Sequence, residues 1–350
     1  MIKTLGIVSL SRGILGEGFM HHELDIGLTR LKNYGVRVKF LPHALDGLAS
    51  LSAHPEHRAQ DLLDAFRDPE IDAILCAIGG DDTYRLAPFL FDNNELKNAV
   101  TKKPFLGFSD TTLNHFMLHK AGLPTFYGQA FLPDVCELAP EMLPYTKRYF
   151  EEFLKTGTIR EVRPSDIWYE SRKEFGPDQV GLDLPAHKNT GFELLQGPAQ
   201  FEGEILGGCI DSMYEMFSGW RYPDMPEVCK KYGLFPSLED WRGKILLLES
   251  CEEYMPPETY KKALETLKET GVFDAVSGVL VGKPMDEVYS DEYKKLLAGV
   301  IANKELPILC NLNIGHAVPR CILPFGVHAH VDAEQQVIRI NPLRPECPGS

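Results

Sequence analysis

The sequence predicts an α/β protein of two domains, and three observations support this fold class. Predicted strands alternate with helices along the first 130 residues, which is typical of a parallel sheet covered by helices. The chain has 350 residues, 44% of them hydrophobic, so it can bury two sizeable cores. A polar stretch with three prolines then precedes a second series of strands and helices. We expect an N-terminal domain over 1–150, a connecting segment and substrate loop over 151–200, and a C-terminal domain over 201–345.

The N-terminal elements follow in order. TLGIVSL predicts a strand, HHELDIGLTRLKNYG a helix that ends at Gly35, and VRVKFLP a second strand. HPEHRAQDLLDAFRDPEI repeats the helical pattern, and AILCAI is a continuously apolar strand that leads to Gly79 and Gly80. TYRLAPFL and TTLNHFMLHKAG predict helices, with PFLGF and PTFYGQAF as the fourth and fifth strands. Because ligands of such sheets bind beyond the carboxyl ends of the strands, the residues there are the candidates for function.

The remaining elements predict a strand-rich α+β domain. TKRYFEEFLKTG reads as an amphipathic helix, and the polar segment after it shows no sustained period of 2 or 3.6 residues. Long irregular segments of this kind often serve as binding loops. KILLLE, VSGVLVGKP, PILCNLN, GVHAHVD and QVIRI then predict strands, while PETYKKALETLKETG and SDEYKKLLAGVIANKE predict helices. The terminal PECPGS is expected to fray.

Composition excludes several classes of partner. With 36 Lys and Arg against 50 Asp and Glu, the formal net charge is −14, which disfavours nucleic acid and anionic membrane surfaces. The apolar run near the N-terminus is too short for a signal-peptide core, and no run approaches the roughly 18 residues of a membrane span, so we expect a cytoplasmic protein. Eight scattered cysteines without a CxxC pair indicate neither a disulfide scaffold nor a zinc knuckle.

Ser109 stands in GFSDTT, directly after an apolar strand and directly before a helix. A serine at such a turn projects its hydroxyl beyond the sheet edge, and the N–H groups that open the helix can stabilise an oxyanion. Serine and aspartate are also favoured helix caps, and position 111 is threonine, so the stricter GxSxG pattern is incomplete. The local pattern alone therefore leaves nucleophile and cap open.

The stretch AIGGDDTYRL places two glycines at the end of another strand, where their amides can face a ligand. A tight turn is the simpler interpretation. The stretch also resembles the GGDG-type turn of phosphofructokinases, which makes a phosphotransferase the alternative function. Against it, the N-terminal loop reads SLSRGILGEG and lacks a second GGD-like turn.

Two further strand ends carry a carboxylate and an imidazole. Glu249 ends the apolar run of KILLLESCEE, and His316 follows a strand in NLNIGHAVPR. Each has a simpler interpretation, as a solvated strand end and as an incidental loop histidine. Together with Ser109 they supply nucleophile, carboxylate and base. The other candidates for the base lie on or beside helices and are less well placed: His21, His22, His43, His54, His57, His115 and His119.

At this point the chain resembles a known family, the LD-carboxypeptidases and the related microcin C immunity peptidases. The resemblance covers nearly the whole chain and rests on DLLDAFRDPEIDAILCAIGGDDTYRLAPFL, FLGFSDTTLNHFMLHKAGLPTFYG, GEILGGCIDSM, KILLLESCEE, GVFDAVSGVLVGKP and GHAVPRCILPFGVHAHVD. It implies a flavodoxin-like N-terminal domain that carries the serine and a C-terminal domain of swivelling β/α type that carries the glutamate and histidine. It also implies a homodimer that hydrolyses an amide bond without a metal or organic cofactor.

Carried over by motif, the resemblance assigns the nucleophile to Ser109, the base to His316 and the supporting carboxylate to Glu249. The N–H groups of Gly80 and Asp110 would form the oxyanion hole. The substrate would be a muropeptide-like L,D-peptide or a peptidyl or aminoacyl nucleotide of the microcin C type. A member of the same fold that binds a ligand without catalysis is the third alternative.

Three residues are expected to contact the substrate. Arg85, one helical turn beyond the glycine pair, is the candidate for clamping a free carboxylate, and a surface helix arginine is the alternative interpretation. Trp168 resembles a loop tryptophan with which immunity-type members stack a purine. Glu253 stands where those members carry a lysine and agrees with murein-type members instead. Cys209 replaces the asparagine that usually follows the glycine pair of GEILGG, so the substrate class stays open.

Overall fold

Two β-sheets flanked by helices form the protein, whose structure is a computed structural model that describes residues 1–341. The predicted domain end at 345, the terminal PECPGS and one of the eight cysteines lie outside the described residues. The strands are β1 (Thr4–Val8), β2 (Arg37–Phe40), β3 (Ala73–Cys76), β4 (Phe105–Gly107), β5 (Thr125–Tyr127), β6 (Glu161–Val162), β7 (Ile167–Tyr169), β8 (Ala186–Lys188), β9 (Glu193–Gln196), β10 (Gln200–Cys209), β11 (Ile245–Glu249), β12 (Gly278–Gly282), β13 (Ile308–Leu312), β14 (Leu323–Phe325), β15 (His328–Asp332) and β16 (Val337–Ile340).

The α-helices pack against these sheets and include several that the sequence patterns did not predict. They are α1 (His21–Asn33), α2 (Gly47–Ala53), α3 (Pro55–Arg67), α4 (Ala87–Phe91), α5 (Glu95–Ala99), α6 (Thr111–Lys120), α7 (Pro144–Thr156), α8 (Ile210–Ser218), α9 (Met225–Tyr232), α10 (Leu238–Trp241), α11 (Pro257–Glu269), α12 (Val272–Ala275) and α13 (Ser290–Ile301). Within residues 1–341, none of the helices combines the length and the apolar character that a bilayer crossing requires.

The first sheet confirms the predicted flavodoxin-like domain. Its strand order is β14-β5-β4-β3-β1-β2, and β1 to β5 are parallel to one another. The order 2-1-3-4-5 is that of the flavodoxin-like doubly wound fold. Every residue of β1, β3, β4 and β5 is buried, as their continuously apolar sequences require. The sixth strand, β14, comes from the C-terminal part of the chain and joins β5 in antiparallel orientation.

The second sheet confirms that a second sheet-containing domain follows the first, as predicted for the strand-rich C-terminal half. Its order is β6-β16-β15-β10-β11-β12-β13-β9. The four central strands, β10 to β13, run parallel, while antiparallel strands complete both edges. The carboxyl ends of β11 and β13 therefore meet at one edge of this sheet, where Glu249 and the loop of His316 follow them.

The segment between the two sheets contains more regular structure than the sequence predicts. It holds β6, which pairs with β16, and a separate hairpin of β7 and β8. Strands of two or three residues are too short to show a period of 2, so periodicity could not reveal them. The predicted helix TYRLAPFL differs in a smaller way, because it starts as a 3-10 turn over Thr83–Leu86 and continues as α4.

The two sheets are joined by direct contacts at the carboxyl ends of their strands. One continuous apolar cluster includes residues of both. The hydroxyl of Tyr127, at the end of β5, donates a hydrogen bond to Glu249 at the end of β11. The N–H of Cys209, at the end of β10, donates to Thr112 in the first turn of α6. Residues that follow the strands of either sheet therefore lie close together.

Candidate active site

Ser109 occupies a sharp turn between β4 and α6. Its φ angle is +69°, a conformation that residues other than glycine rarely adopt and that often marks a functional site. Hydrogen bonds fix the turn, since the Ser109 N–H donates to the Tyr127 hydroxyl at 3.1 Å and the Thr112 hydroxyl donates to the Ser109 carbonyl at 2.7 Å. A serine held in this way presents its hydroxyl beyond the sheet edge.

The structure brings Glu249 and His316 to this turn. The His316 Nδ1–H donates to Oε2 of Glu249 at 2.7 Å, and the backbone N–H of His316 donates to the same oxygen at 3.1 Å. On the other side of the ring, Nε2 lies 3.1 Å from Oγ of Ser109. The three side chains thus form one continuous chain of hydrogen bonds, although the serine belongs to the first sheet and the other two to the second.

Gly315 makes room for this arrangement. Its φ is +65°, and a Cβ at this position would lie 2.3 Å from Cδ of Glu249. Any other residue would displace the carboxylate from the imidazole. The other side of the ring is closed by Phe108, whose ring packs edge-on against His316 with 5.1 Å between the centroids. The histidine is consequently 5% exposed and has little freedom to leave this position.

Burial and charge act in opposite directions on the pair. Burial raises the pKa of Glu249, but the charge and hydrogen bonds of His316, with the hydrogen bond from Tyr127, lower that pKa below its ordinary value. Burial likewise lowers the pKa of His316, but the Glu249 carboxylate and a contact with Glu252 raise the pKa of the imidazole well above its ordinary value. The site therefore favours an ionised carboxylate and a strongly basic imidazole.

Tyr127 is a contact of this site that the sequence analysis did not single out. It is fully buried, and its hydroxyl donates to Oε1 of Glu249 at 2.5 Å while accepting the N–H of Ser109. One hydroxyl therefore connects the turn of Ser109 to the carboxylate of Glu249. The sequence offered no signal for this role, because a tyrosine at the end of a buried strand reads as an ordinary core residue.

Glu252 is a second contact that the sequence analysis missed. Its Oε2 lies 3.1 Å from Nε2 of His316, the nitrogen that also faces Ser109, and its side chain is 59% exposed. Burial raises the pKa of Glu252, but the hydrogen bond and charge of His316 lower it to about 2. A carboxylate at this position stabilises the protonated imidazole and competes with Ser109 for the same nitrogen.

Asp110 directly follows Ser109, and Gly80 follows Gly79, at which a Cβ would lie 2.6 Å from Cβ of Ser109. A Cβ at Gly80 would lie 2.2 Å from Oγ of Ser11, so only glycine fits between this turn and the N-terminal loop. The Asp110 side chain points away from Ser109, because it accepts hydrogen bonds from the Ser11 hydroxyl at 2.7 Å and from the Thr83 N–H at 2.9 Å. Burial is the main cause that raises the pKa of Asp110 to about 6. The backbone N–H of Asp110 stands at the start of α6.

The acidic residues after the glycine pair are engaged within the protein. Asp82 pairs with Arg58, which is fully buried, at 2.6 Å, and the same guanidinium donates to the carbonyls of Leu10 and Ser11. Asp81 pairs with Arg221 at 3.1 Å. The first ion pair holds the glycine turn against the N-terminal loop, the second joins it to the connection between α8 and α9, and neither carboxylate is free.

A cavity of about 450 Å³ opens in front of Ser109. Carboxylates outnumber cations in its wall, which favours a ligand that brings a positive group. The lining residues are Gly80, Asp81, Ser109, Asp110, Cys209, Asp211, Ser212, Tyr214, Glu215, Trp220, Arg221, Met225, Cys251, Glu252, Glu253, Met255, Pro256, Thr259 and Lys262.

The three residues predicted to contact the substrate fall in different places. Glu253 lines the cavity, where both of its oxygens accept from Arg221 at 2.7 and 2.8 Å. Arg85 does not line it, and its guanidinium lies over the Tyr222 ring at 4.9 Å. Trp168 does not line it either, because its ring is 9% exposed and stacks on His187 with 4.4 Å between centroids.

The cavity wall contains an arginine and a tryptophan, Arg221 and Trp220, whereas the sequence had suggested Arg85 and Trp168 for these roles. Arg221 is the guanidinium in the cavity wall, and Trp220 beside it is 65% exposed. The Arg221 guanidinium lies 5.3 Å from the centre of the Trp220 ring. Both residues belong to the short GWRYPD connection between α8 and α9, which shows no period and no recognised motif.

The site also contains three side chains whose donor atoms are close enough to coordinate a metal ion. One donor atom each from Cys209, Glu249 and His316 lie within 4.8 Å of one another. A metal requires the thiolate, whereas burial above all raises the pKa of the Cys209 thiol well above its ordinary value. Both ring nitrogens of His316 already face Glu249 and Ser109, so the donor set fits a hydrogen-bonded relay better than a metal.

Two family models match the chain. One, described as the LD-carboxypeptidase N-terminal domain, covers residues 5–128, and the other, described as the LD-carboxypeptidase C-terminal domain, covers residues 202–331. The two matched ranges carry all three residues of the hydrogen-bonded chain. The match to the second model includes Glu249 and His316, and the match to the first includes Ser109.

Individual proteins are similar over most of their length. A crystal structure of a MccF-like protein from Streptococcus pneumoniae in complex with AMP is 59% identical, with a TM-score of 0.96 over 97% of this chain and 99% of that one. The microcin C7 self-immunity protein MccF of Escherichia coli is 28% identical over 81% of this chain and 78% of its own. A Bacillus subtilis protein named as a probable murein peptide carboxypeptidase is 26% identical over 90% of this chain and 85% of its own.

Proposed function

The chain belongs to the LD-carboxypeptidase family and is a carboxypeptidase of the serine type, and from this premise we propose that Ser109, His316 and Glu249 are its catalytic triad. The observation that carries the proposal is the chain of hydrogen bonds from Ser109 Oγ through the imidazole to the carboxylate. The bond that is cleaved is an amide at the carboxyl end of a small substrate.

The first step forms an acyl-enzyme. Neutral His316 accepts the Ser109 hydroxyl proton at Nε2 while Oγ attacks the scissile carbonyl carbon. Glu249 holds Nδ1 protonated, which directs the lone pair of Nε2 at the serine, and stabilises the imidazolium that forms. The imidazolium then returns the proton to the leaving nitrogen, the C–N bond breaks and the ester remains on Ser109.

The charge that develops on the carbonyl oxygen is held by the N–H groups of Gly80 and Asp110. Both residues line the cavity beside Ser109, and Asp110 opens α6, whose N-terminus favours negative charge. Loss of one such donor typically lowers the rate by about 100- to 1000-fold. Arg58 and Ser11 keep the two backbone segments in register through Asp82 and Asp110.

Water completes the cycle. A water molecule loses a proton to Nε2 of His316 and attacks the ester carbonyl, and collapse of the second tetrahedral intermediate releases a carboxylic acid and the free Ser109 hydroxyl. Every proton in both steps moves through one imidazole nitrogen. The residues of this chain therefore supply all the acid–base chemistry that the hydrolysis requires.

For the substrate, we propose an aminoacyl or peptidyl nucleotide in which an amide nitrogen joins the amino acid to the nucleotide. The similarity to a protein that binds AMP, at 59% identity over nearly the full length, supports this class. The acidic wall of the cavity suits the protonated α-amine of an aminoacyl group. Trp220, exposed at the cavity, supplies an aromatic face on which a base can stack.

A muropeptide-like L,D-peptide is the second candidate, and two observations favour it. Glu253 stands in the cavity where the immunity-type pattern has a lysine, and Trp168 is stacked on His187 rather than open to the cavity. Similarity to the murein peptide carboxypeptidase of Bacillus subtilis supports the same class. Arg221, already among carboxylates, is then the cation that would receive the terminal carboxylate of the peptide.

The two other functions considered have less support. A phosphotransferase would need the acidic residues of the glycine turn for magnesium, whereas Asp82 is paired with Arg58 and Asp81 with Arg221. A binding protein without catalysis would not need Ser109 aligned with His316 at 3.1 Å. Both remain distinguishable by experiment.

The test compares the wild-type protein with Ser109→Ala on two substrates, an aminoacyl-sulfamoyl adenosine and an L,D-tetrapeptide, with products identified by mass spectrometry. We expect the wild type to cleave the first faster and Ser109→Ala to cleave neither while retaining its circular dichroism spectrum. Ser52→Ala, at an exposed serine, is the matched control and should behave as wild type. Turnover by Ser109→Ala would refute the triad, and faster cleavage of the tetrapeptide would reverse the order of substrates.

We also propose that the protein acts as a homodimer, as the resemblance implies, and that it is cytoplasmic, as its short apolar runs predict. Light scattering coupled to gel filtration would test the dimer. A mass near 39.3 kDa for the particle in solution would refute it, because this is the mass of one chain.

A further inference from the structure

Three histidines cluster on the surface of the N-terminal domain, outside the cavity in front of Ser109. His43 lies in the turn after β2, His54 directly precedes α3 and His57 lies in its first turn. The rings of His43 and His57 are stacked with 4.2 Å between centroids and 18° between planes. His54 stacks on His57 in the same way, at 4.7 Å and 19°. Three imidazoles therefore share one small region of surface.

The ring of His43 is oriented by a buried carboxylate. Its Nδ1–H donates to Asp61 at 2.9 Å, and its backbone N–H donates to the same carboxylate at 3.0 Å. Asp61 is 1% exposed, so this contact fixes both the rotation of the ring and its tautomer. The lone pair of His43 is thereby placed on Nε2. A carboxylate that holds the remote nitrogen of a histidine in this way is the usual support of a metal ligand.

His57 supplies the second observation. Its Nδ1 is buried and has no hydrogen-bond partner among residues 1–341. Buried polar atoms are satisfied in nearly all cases, so this unpartnered ring nitrogen leaves His57 open to a further partner. One ring nitrogen each of His43 and His57 and a carboxylate oxygen of Asp46 lie within 4.8 Å of one another.

We propose that His43, His57 and Asp46 form a binding site for a divalent transition metal of the zinc class, with Asp61 as the residue that orients His43. Two imidazoles and one carboxylate match the preference of zinc, whereas calcium and magnesium prefer oxygen ligands alone. In a tetrahedral site with bonds of about 2.0 Å the ligand atoms lie roughly 3.3 Å apart. The side chains would therefore close on the ion, and the His57 ring would turn out of its stack on His43, because an imidazole binds a metal in the plane of its ring. Water would complete the coordination.

This set is preferred over the neighbouring one that shares His57. One donor each from His54, Glu56 and His57 also lie within 4.8 Å of one another. The support of His54 is Glu56, whose side chain is 44% exposed, whereas Asp61 is buried. A buried support holds its histidine in one orientation, and a solvated one does not. The ion is therefore assigned to the His43 side of His57.

The position of the site suggests what the ion does. It would join the turn that contains His43 and Asp46 to the first turn of α3. The residue after His57 on this helix is Arg58, whose guanidinium holds the carbonyls of Leu10 and Ser11. An ion that binds only the folded state stabilises it by mass action. The site is a structural clamp on the N-terminal domain, separate from the chemistry at Ser109.

The test uses full-length protein without a histidine tag, freed of metal by a chelator. Zn²⁺ is titrated in competition with a chromophoric chelator, and Co²⁺ is titrated with visible absorption as a second probe. We expect one equivalent of Zn²⁺ to bind, and His57→Ala and His43→Ala to weaken binding by more than about 100-fold, since each removes a ligand. His328→Ala, at an exposed histidine outside the cluster, is the matched control.

Two further variants keep the outcome decisive. Asp46→Asn changes an exposed ligand, so we expect this variant to fold. It tests the site even if a histidine variant fails to fold. His316→Ala removes the other donor set, Cys209, Glu249 and His316, and should leave binding unchanged. Loss of binding in His316→Ala with full binding in His57→Ala and Asp46→Asn would place the ion at the triad and overturn the proposal. Failure of the wild type to bind either metal would also overturn it.

Discussion

Two carboxylate–imidazole pairs in this protein have the same internal hydrogen bonds but different neighbouring groups. Glu249 holds Nδ1 of His316 at 2.7 Å, and Asp61 holds Nδ1 of His43 at 2.9 Å. Both carboxylates are buried and each also accepts the backbone N–H of its histidine. The local device is therefore the same, and it directs the lone pair of Nε2 outward in both cases.

What Nε2 faces decides the chemistry of each pair. At His316 it faces a serine hydroxyl inside a cavity, and the imidazole is 5% exposed. At His43 the side chain is 27% exposed and its neighbours are a second imidazole and the carboxylate of Asp46. A hydroxyl beside the free nitrogen makes a base, whereas further donors beside it make a ligand site. We therefore propose catalysis for the pair in one region and metal binding for the pair in the other.

The largest effect is expected when Glu249 of the first pair is changed. Glu249→Gln keeps the size of the side chain but removes the charge that stabilises the imidazolium and fixes its tautomer. We expect kcat/KM to fall by about 10⁴-fold, as for loss of the carboxylate of other triads. Steady-state hydrolysis with the substrate that the wild type prefers would measure it. A loss of less than tenfold would mean that Glu249 does not support the base.

Asp61→Asn makes the same change in the other pair. The affinity for Zn²⁺ should fall by about 10- to 100-fold, which is typical for loss of a supporting carboxylate. Hydrolysis should not change, because Asp61 contacts neither Ser109 nor the cavity wall. Competition titration and steady-state kinetics on one preparation would check both. A parallel fall in kcat/KM would show that the two regions are coupled.

Tyr127 joins the turn of Ser109 to Glu249, and within residues 1–341 no tyrosine hydrogen-bonds to Asp61 in the same way. In Tyr127→Phe, Glu249 loses a hydrogen bond and the N–H of Ser109 loses its acceptor. We expect kcat to fall by about tenfold, which corresponds to one hydrogen bond to a charged group, with KM nearly unchanged. Tyr34→Phe, whose hydroxyl contacts Glu151 at the surface, is the matched control. A change confined to KM would contradict a positioning role.

Of the two pairs, Glu252 contacts only the His316 pair, so its removal should change the pH dependence of hydrolysis. Hydrolysis needs neutral His316, so activity rises as pH increases through the pKa of the imidazole, which Glu249 and Glu252 raise. Removing the Glu252 charge in Glu252→Gln lowers that pKa, so the rise in kcat/KM should move to lower pH. Glu253→Gln, one residue further and without contact to His316, should leave the position of the rise unchanged. A shift to higher pH would show that Glu252 does not stabilise the imidazolium.

Much of the fold could be predicted from the sequence because its elements have strong local patterns. The buried strands of both sheets are continuously apolar, and helices such as α3, α7 and α11 show a helical period. The flavodoxin-like sheet and the family were confirmed. The short strands β6 to β8 escaped prediction because two or three residues carry no period, and their pairing is decided by distant neighbours.

The candidate site likewise contains some residues that the sequence could identify and others that it could not. Ser109, Glu249 and His316 could be selected because each ends or follows an apolar strand and because their motifs resemble a family. Tyr127 and Glu252 could not, since a core tyrosine and a surface glutamate have no distinctive sequence context. Arg85 and Trp168 were selected by proximity along the chain and by a loose alignment, and the cavity wall instead contains Arg221 and Trp220.

By itself, the sequence determined which segments are buried strands, which turns follow them and which residues at those turns are candidates for chemistry. Only the tertiary structure decided which of these residues meet. Ser109 and His316 are 207 positions apart, and Tyr127 and Glu249 are 122 apart. A local pattern encodes the period of one element, whereas contacts across such distances arise when the apolar faces of many elements pack together. The same packing that joins the two sheets therefore brings Ser109, His316 and Glu249 into one chain of hydrogen bonds, and the packing of α3 against its neighbouring turn creates the histidine cluster.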